Sequence, residues 1–152
     1  MRRKEKEISS TFELAAILDT EPVMRIALID GLVPYIVPLH FAYFDDALFF
    51  HSAPEGRKIN ALRQNPGICF EVGTESSIVT AETACGFGTR YKSIIGYGTA
   101  HILLSRADKE HALSLLMNKY ASGGLWVFPE DKLEKTCCIR IDIETMTGKQ
   151  SG

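Results

Sequence analysis

Between residues 23 and 52 the chain alternates short apolar runs with tight-turn dipeptides, and this pattern constrains the fold more than any other feature. Residues 23–29 read as a strand, Asp30-Gly31 as a hairpin turn, and residues 34–44 as a second strand rich in β-branched and aromatic side chains. Asp45-Asp46 is another turn, followed by a strand over 47–52. Further strands are expected over 68–72, 90–104 and 137–143, where Ile139, Ile141 and Ile143 alternate against Arg140 and Asp142. Gly96 and Gly98 inside one of these runs predict a bulge or a close backbone approach. Three helices interrupt the strands. Ser10-Thr11-Phe12-Glu13 has the form of a capping box and opens a short apolar helix ending near Asp19. Pro54-Glu55-Gly56 starts a second helix, which runs to about Asn65 and is stopped by Asn65-Pro66-Gly67. Residues 107–120 form an amphipathic helix that ends at Ser122-Gly123-Gly124. Residues 74–83 read as a polar loop or ragged edge, and the terminal TGKQSG as a polar tail. Five or six strands with three inserted helices, without strict βαβ alternation or internal repeat, favour a mainly β fold. The expected form is an antiparallel barrel with peripheral helices rather than a doubly wound sheet.

Composition narrows the function classes. The 152 residues suit one domain, 1–152, with enough chain to bury a core without staples. A net charge of -2 leaves no basic surplus for nucleic acid or an anionic membrane. The apolar runs fall far short of the ~20 residues that span a bilayer, and the basic start MRRKEKEISS lacks the apolar stretch of a secretory signal. Cys69, Cys85, Cys137 and Cys138 contain no CxxC pair, so a structural zinc site is not expected. Cys137 and Cys138 are neighbours in a strand and should face opposite ways, as reduced, buried thiols suited to a cytoplasmic protein.

Familiar catalytic motifs fail on inspection. Gly148-Lys149 lacks the earlier glycine of a phosphate-binding loop, since Ile143 stands at that place. Gly86-Phe87-Gly88 and Gly96-Tyr97-Gly98 lack the third glycine of a dinucleotide fingerprint. His40, His51, His101 and His111 show no metal-binding spacing.

One segment carries chemistry. A strand ends at His51-Ser52, and Ser52-x-x-Glu55 has the form of a second capping box, with Pro54 in the first turn. Helix N-termini direct free N–H groups outward and suit anions. Arg57 and Lys58 lie in that first turn, where cations oppose the helix dipole by ~0.3–1 kcal/mol each when exposed. A bound phosphate removes the conflict, held by the Ser52 hydroxyl, backbone N–H groups, Arg57 and Lys58. An ordinary capped helix with two solvated cations accounts for the spacing equally well. Upstream, Pro38 sits inside a strand, which marks an edge or a bulge. Period two places Ile36, Pro38 and His40 on one face, and Tyr35, Val37, Leu39 and Phe41 on the other.

Together, residues 34–41, Phe50-His51-Ser52-Ala53, Glu55-Gly56-Arg57-Lys58, residues 90–98, Ile141-Asp142-Ile143-Glu144 and Met146-Thr147-Gly148-Lys149 resemble the pyridoxamine 5′-phosphate oxidase-like flavoproteins. The nearest branch is the nitroimidazole-resistance (Nim-type) one. The resemblance implies an antiparallel split β-barrel of Greek-key type, binding FMN at the interface of a homodimer. It implies that Ile36, Val37, Pro38, Leu39 and His40 run along the flavin ring, and that His51, Ser52, Arg57 and Lys58 hold the ribityl phosphate. It also implies that Lys92 and Ser93 approach from the neighbouring subunit. Pyridoxamine phosphate oxidases proper end in a substrate segment with E-F-W-Q and R-L-x-P elements. This chain has its only tryptophan at Trp126 and ends in residues 146–152, so that substrate is not expected.

The resemblance therefore implies an FMN-dependent oxidoreductase that reduces a small electrophile such as a nitroaromatic. Backbone N–H groups near Val37–Leu39 would face the negative charge of the reduced ring, and His40 would donate a proton. The competing readings are a flavin-binding module for storage or sensing, and a related barrel that binds haem.

Overall fold

The computed structural model describes residues 3–121 and 123–152. Among them run nine strands: β1 (Glu7–Ile8), β2 (Val23–Asp30), β3 (Val33–His40), β4 (Ala42–Phe44), β5 (Ala47–Ser52), β6 (Gly67–Gly73), β7 (Ser77–Val79), β8 (Gly88–Leu103) and β9 (Cys137–Ser151). The helices are α1 (Thr11–Thr20), α2 (Arg57–Gln64), α3 (Arg106–Tyr120) and α4 (Glu130–Glu134). The strands form one antiparallel sheet in the order β3-β2-β6-β8-β9-β5-β4, with β1 added to β9 and β7 to β8. The sheet curls so that β3 touches β5, enclosing a core that includes Leu18, Met24, Ile26, Phe41, Leu48, Phe50, Phe70, Ile94, Ile139 and Ile141. This is the expected antiparallel barrel with helices at its periphery. None of the described helices is long and apolar enough to cross a membrane.

The turn chemistry works as the residues suggest. Gly31 takes φ +64 in the β2–β3 hairpin, and Asp45 and Asp46 take φ 50 and 55 between β4 and β5. Two successive left-handed residues match the strand twist, and Asp tolerates them. Ser10 caps α1 by accepting the Glu13 N–H at 3.2 Å. The Glu13 carboxylate does not close the box but pairs with Lys92 at 2.7 Å, tying α1 to β8. Cys137 joins the main core, and Cys138 a second cluster with Ala47, Phe49 and Ala112 beneath α3. All four cysteines are free, and burial raises both vicinal thiols, Cys138 to about 11.

The structure corrects several expectations. The strand over 34–44 is broken at Phe41, because the Tyr120 hydroxyl takes the Phe41 N–H and replaces a ladder partner. The supposed tail is the second half of β9. Gln150 pairs with Lys92, Gly148 pairs with Ile94 and Ile8, and Gly148 lies under Leu14 and Ile8, where a side chain would not fit. Residues 74–83 include the short β7, and residues 130–134 form a helix that carries no strong periodic pattern. α3 begins one residue earlier, capped by Ser105, which accepts the Asp108 N–H at 3.1 Å. Of its expected stop, Ser122 lies outside the described residues.

The bulge is where the glycines place it. Tyr97 pairs with Thr145 but Gly98 with Ile143, leaving Glu144 as the extra residue. A Cβ on Gly98 would meet the Asp142 carbonyl oxygen and Ile141. Gly98→Ala should cost about 1–3 kcal/mol, while Gly88→Ala, whose Cβ makes only a 3.9 Å contact, should stay within about 0.5 kcal/mol. Urea unfolding of the two variants checks this, and equal midpoints would sink the assignment.

Candidate functional site

β3 lies at the sheet edge, bonded to β2 alone. Pro34, Ile36, Pro38 and His40 are exposed, while Tyr35, Val37 and Leu39 pack on the core. This is the predicted alternation. Residues two apart in a strand turn their backbone groups to the same side. Proline is tolerated where its nitrogen faces away from the partner strand. Pro34 and Pro38 therefore place the N–H groups of Ile36 and His40 at the open edge and turn those of Val37 and Leu39 toward β2. The N–H groups of Val37 and Leu39 are therefore not open at this edge as expected; those of Ile36 and His40 are.

β5 carries His51 and Ser52 at its end, opposite Cys138 and Cys137. Three bend residues follow, and α2 begins at Arg57. The predicted Ser52–Glu55 capping box does not form. Gly56 is the cap residue, at φ +116, and no side chain caps the helix. The backbone needs this left-handed conformation to turn from β5 into α2, and glycine adopts it without strain. The first N–H groups of α2 are thus left without a side-chain acceptor, which is the electrostatic condition for anion binding.

The two cations of the first turn differ. Arg57 Nε pairs with Asp30 Oδ2 at 2.7 Å, and its guanidinium lies 4.3 Å from the Tyr35 ring centroid. It clamps the β2–β3 hairpin to α2. Lys58 makes no ion pair among the described residues, and its Nζ lies 5.7 Å from the Phe50 ring centroid. Burial holds the Lys58 ammonium below its usual range. The His51 imidazole is also lowered, by partial desolvation first and then by the charges of Lys58 and His40. The start of α2 thus meets β3 at Tyr35 through Arg57 and β5 at Phe50 through Lys58, and β3 itself touches β5. A cation short of solvent and without a carboxylate gains most from an anion.

Lys92 and Ser93 lie elsewhere. Two strands, β2 and β6, separate β8 from β3. Lys92 is engaged with Glu13, and its backbone N–H donates to the Thr74 hydroxyl at 3.0 Å. Ser93 pairs with Gly73 and Lys149. Within one chain, the structure does not bring these two residues to β3 and α2. Sequence reasoning missed Asp30 as the partner of Arg57 and Tyr120 as a neighbour of His40. Neither has a local signal, because the partners are 27 and 80 positions apart in the chain. No group of three or more metal-ligating side chains occurs among the described residues.

One row on the outer face of the same sheet is apolar, beside the exposed Arg25–Glu71 ion pair. Ile36, Ala27, Cys69 and Tyr97 face one another across β3, β2, β6 and β8. Ile36 is 63% and Tyr97 56% exposed, and a shallow hollow of about 360 Å³ runs past Ala27, Cys69 and Tyr97.

The fold has known relatives. A candidate 5-nitroimidazole antibiotic resistance protein from Bacteroides thetaiotaomicron is 25% identical, with a TM-score of 0.86 over 95% of this chain and 86% of that one. An FAD-binding protein from Mesorhizobium loti is 26% identical, with a TM-score of 0.69 over 94% and 96%. The flavocytochrome Anf3 from Azotobacter vinelandii shares the fold, at 22% identity and a TM-score of 0.89 over 100% of this chain and 72% of that one. No match was found among curated proteins. The family model described as pyridoxamine 5′-phosphate oxidase matches residues 10–150, and the chain belongs to that family.

Proposed function

We propose that this protein is a flavoprotein oxidoreductase that holds FMN between two copies of the chain and reduces a small electrophile of the nitroaromatic kind. One observation carries the reading: the uncapped start of α2 sets Arg57 against the proline-marked edge strand β3 and Lys58, without an ion pair among the described residues, against β5. The residues suit both parts of the cofactor. The edge of Ile36–His40 offers backbone N–H and carbonyl groups to a flat heterocycle, while Lys58, the Ser52 hydroxyl and the first N–H groups of α2 suit a phosphate. Arg57 Nε is already held by Asp30 and leaves only its terminal N–H groups for the phosphate, so Lys58 is the principal charge. The FAD-binding relative supports a flavin, the nitroimidazole-resistance relative a nitroaromatic acceptor, and the family redox chemistry.

Bound FMN would supply the electron transfer, taking up electrons from a reduced donor such as a nicotinamide and yielding them to the acceptor. The chain's own contribution is to anchor the phosphate, orient the ring edge and exclude water. Two copies joined through the apolar row Ile36, Ala27, Cys69 and Tyr97 would bury that face and bring the partner's Lys92 and Ser93 toward the cofactor. The free cysteines suit the reducing cytoplasm.

Purified protein should be yellow, and denaturation should release FMN rather than FAD on chromatography; a Soret band without flavin peaks would overturn the assignment. The Lys58→Ala variant should lose at least about tenfold in FMN affinity while binding riboflavin almost unchanged. Equal losses for both ligands would remove Lys58 from the phosphate site. Reduced nicotinamide with a nitroimidazole should give flavin-dependent turnover, whereas bound flavin without turnover would favour a storage or sensing role. Tyr97→Glu should convert a dimer to a monomer in sedimentation and lower flavin affinity with it. A wild-type monomer that binds FMN would refute the shared site.

A further inference from the structure

The last turn of α3 closes on the junction between β3 and β4. The Tyr120 hydroxyl accepts the Phe41 N–H at 2.9 Å. It lies 2.7 Å from the Pro22 carbonyl and 2.8 Å from the Phe41 carbonyl, so its single proton is shared between them. The Tyr120 ring meets the His40 imidazole edge-on, with centroids 5.1 Å apart. Beside it, Lys119 donates to the Leu18 carbonyl at 2.8 Å and lies 3.6 Å from the Phe41 ring centroid. Leu18 and Pro22, from α1 and its exit, and Lys119 and Tyr120 of α3 are thereby fastened around His40-Phe41.

His40 Nδ1 lies 3.2 Å from the same Pro22 carbonyl. A carbonyl oxygen only accepts, so Nδ1 carries the proton in that bond. In the neutral ring, Nε2 then holds a lone pair, and His40 stands exposed on the outer face of β3. Free histidine prefers the opposite tautomer, so the clamp imposes the less favoured one. We propose that Tyr120 is a positioning residue whose hydroxyl, through Pro22 and the Phe41 backbone, fixes His40 as the Nδ1–H tautomer and makes Nε2 an acceptor for a ligand N–H lying along β3. The ligand class rests on the flavin reading, since the isoalloxazine carries a ring N–H. The role reverses the expectation that a neutral His40 donates, because its donor side is already committed to Pro22.

The tautomer is read by ¹⁵N NMR of histidine-labelled, ligand-free protein at alkaline pH, independently of any cofactor. Wild type should show Nδ1–H at His40; an Nε2–H signature would overturn the proposal. Tyr120→Phe keeps the ring but leaves the Phe41 N–H without its acceptor. It should shift His40 toward Nε2–H and speed Phe41 amide exchange by at least about tenfold. If both readouts are unchanged, Tyr120 has no positioning role. His40→Asn retains a donor for Pro22 but has no acceptor at the Nε2 place. It should weaken FMN and riboflavin equally and several-fold, unlike Lys58→Ala, and wild-type affinity for both would refute the acceptor role. Failure of wild type to bind any flavin would sink the cofactor reading alone, because tautomer and exchange are measured without ligand.

Discussion

β8 and β9 are the two longest strands, of 16 and 15 residues, and they pair from Tyr91 with Ser151 to Leu103 with Cys138. Nearly every other element is attached to one of them. β8 holds β7 at its start and β6 along its middle, and through β6 the β2–β3 hairpin; β9 holds β5 at its start and β1 at its end. Neither strand is covered unless the other is in place, so the ladder and the burial of Ile94, Ala100, Ile139 and Ile141 form together. A pair this long must twist and bend to close a barrel. The bulge at Glu144 and the bare backbone at Gly98 supply that bend.

The candidate site depends on this closure. β3 belongs to one edge of the sheet and β5 to the other side of β9, so they touch only because the sheet curls. What assembles there is mostly backbone: an open strand edge, and a helix N-terminus that Gly56 leaves uncapped. The side chains refine it. Arg57 is held by Asp30 and Tyr35, whereas the ammonium of Lys58 is partly desolvated and has no carboxylate partner among the described residues, which suits it to an anion.

Much of this organisation is written locally. Asp30-Gly31 and Asp45-Asp46 favour tight turns wherever they occur, Ser10 caps whatever helix follows, and Pro38 excludes a central strand. Local chemistry also misleads. Ser52 and Glu55 have the spacing of a cap, but the chain needs Gly56 to redirect it from β5, and the helix starts beyond them. The terminal residues look polar and unstructured, yet Gly148 lets β1 and α1 settle against β9. Glu13 satisfies a capping pattern and then spends its carboxylate on Lys92, because an ion pair across the fold is open to it once α1 has docked.

The sequence by itself determined the antiparallel β class, the turn positions, the edge character of β3, the alternation of its faces and the cationic pair in the first turn of α2. Each follows from constraints within a few residues: φ preference, missing N–H groups and period-two patterning. The tertiary structure alone decided which cation is free, since Asp30 reaches Arg57 only after the hairpin packs on α2. It alone decided the protonated nitrogen of His40, which depends on a carbonyl from the α1 exit and a hydroxyl from α3. Hydrogen-bond partners and burial are set by distances between segments far apart in the chain, and those distances exist only in the closed barrel.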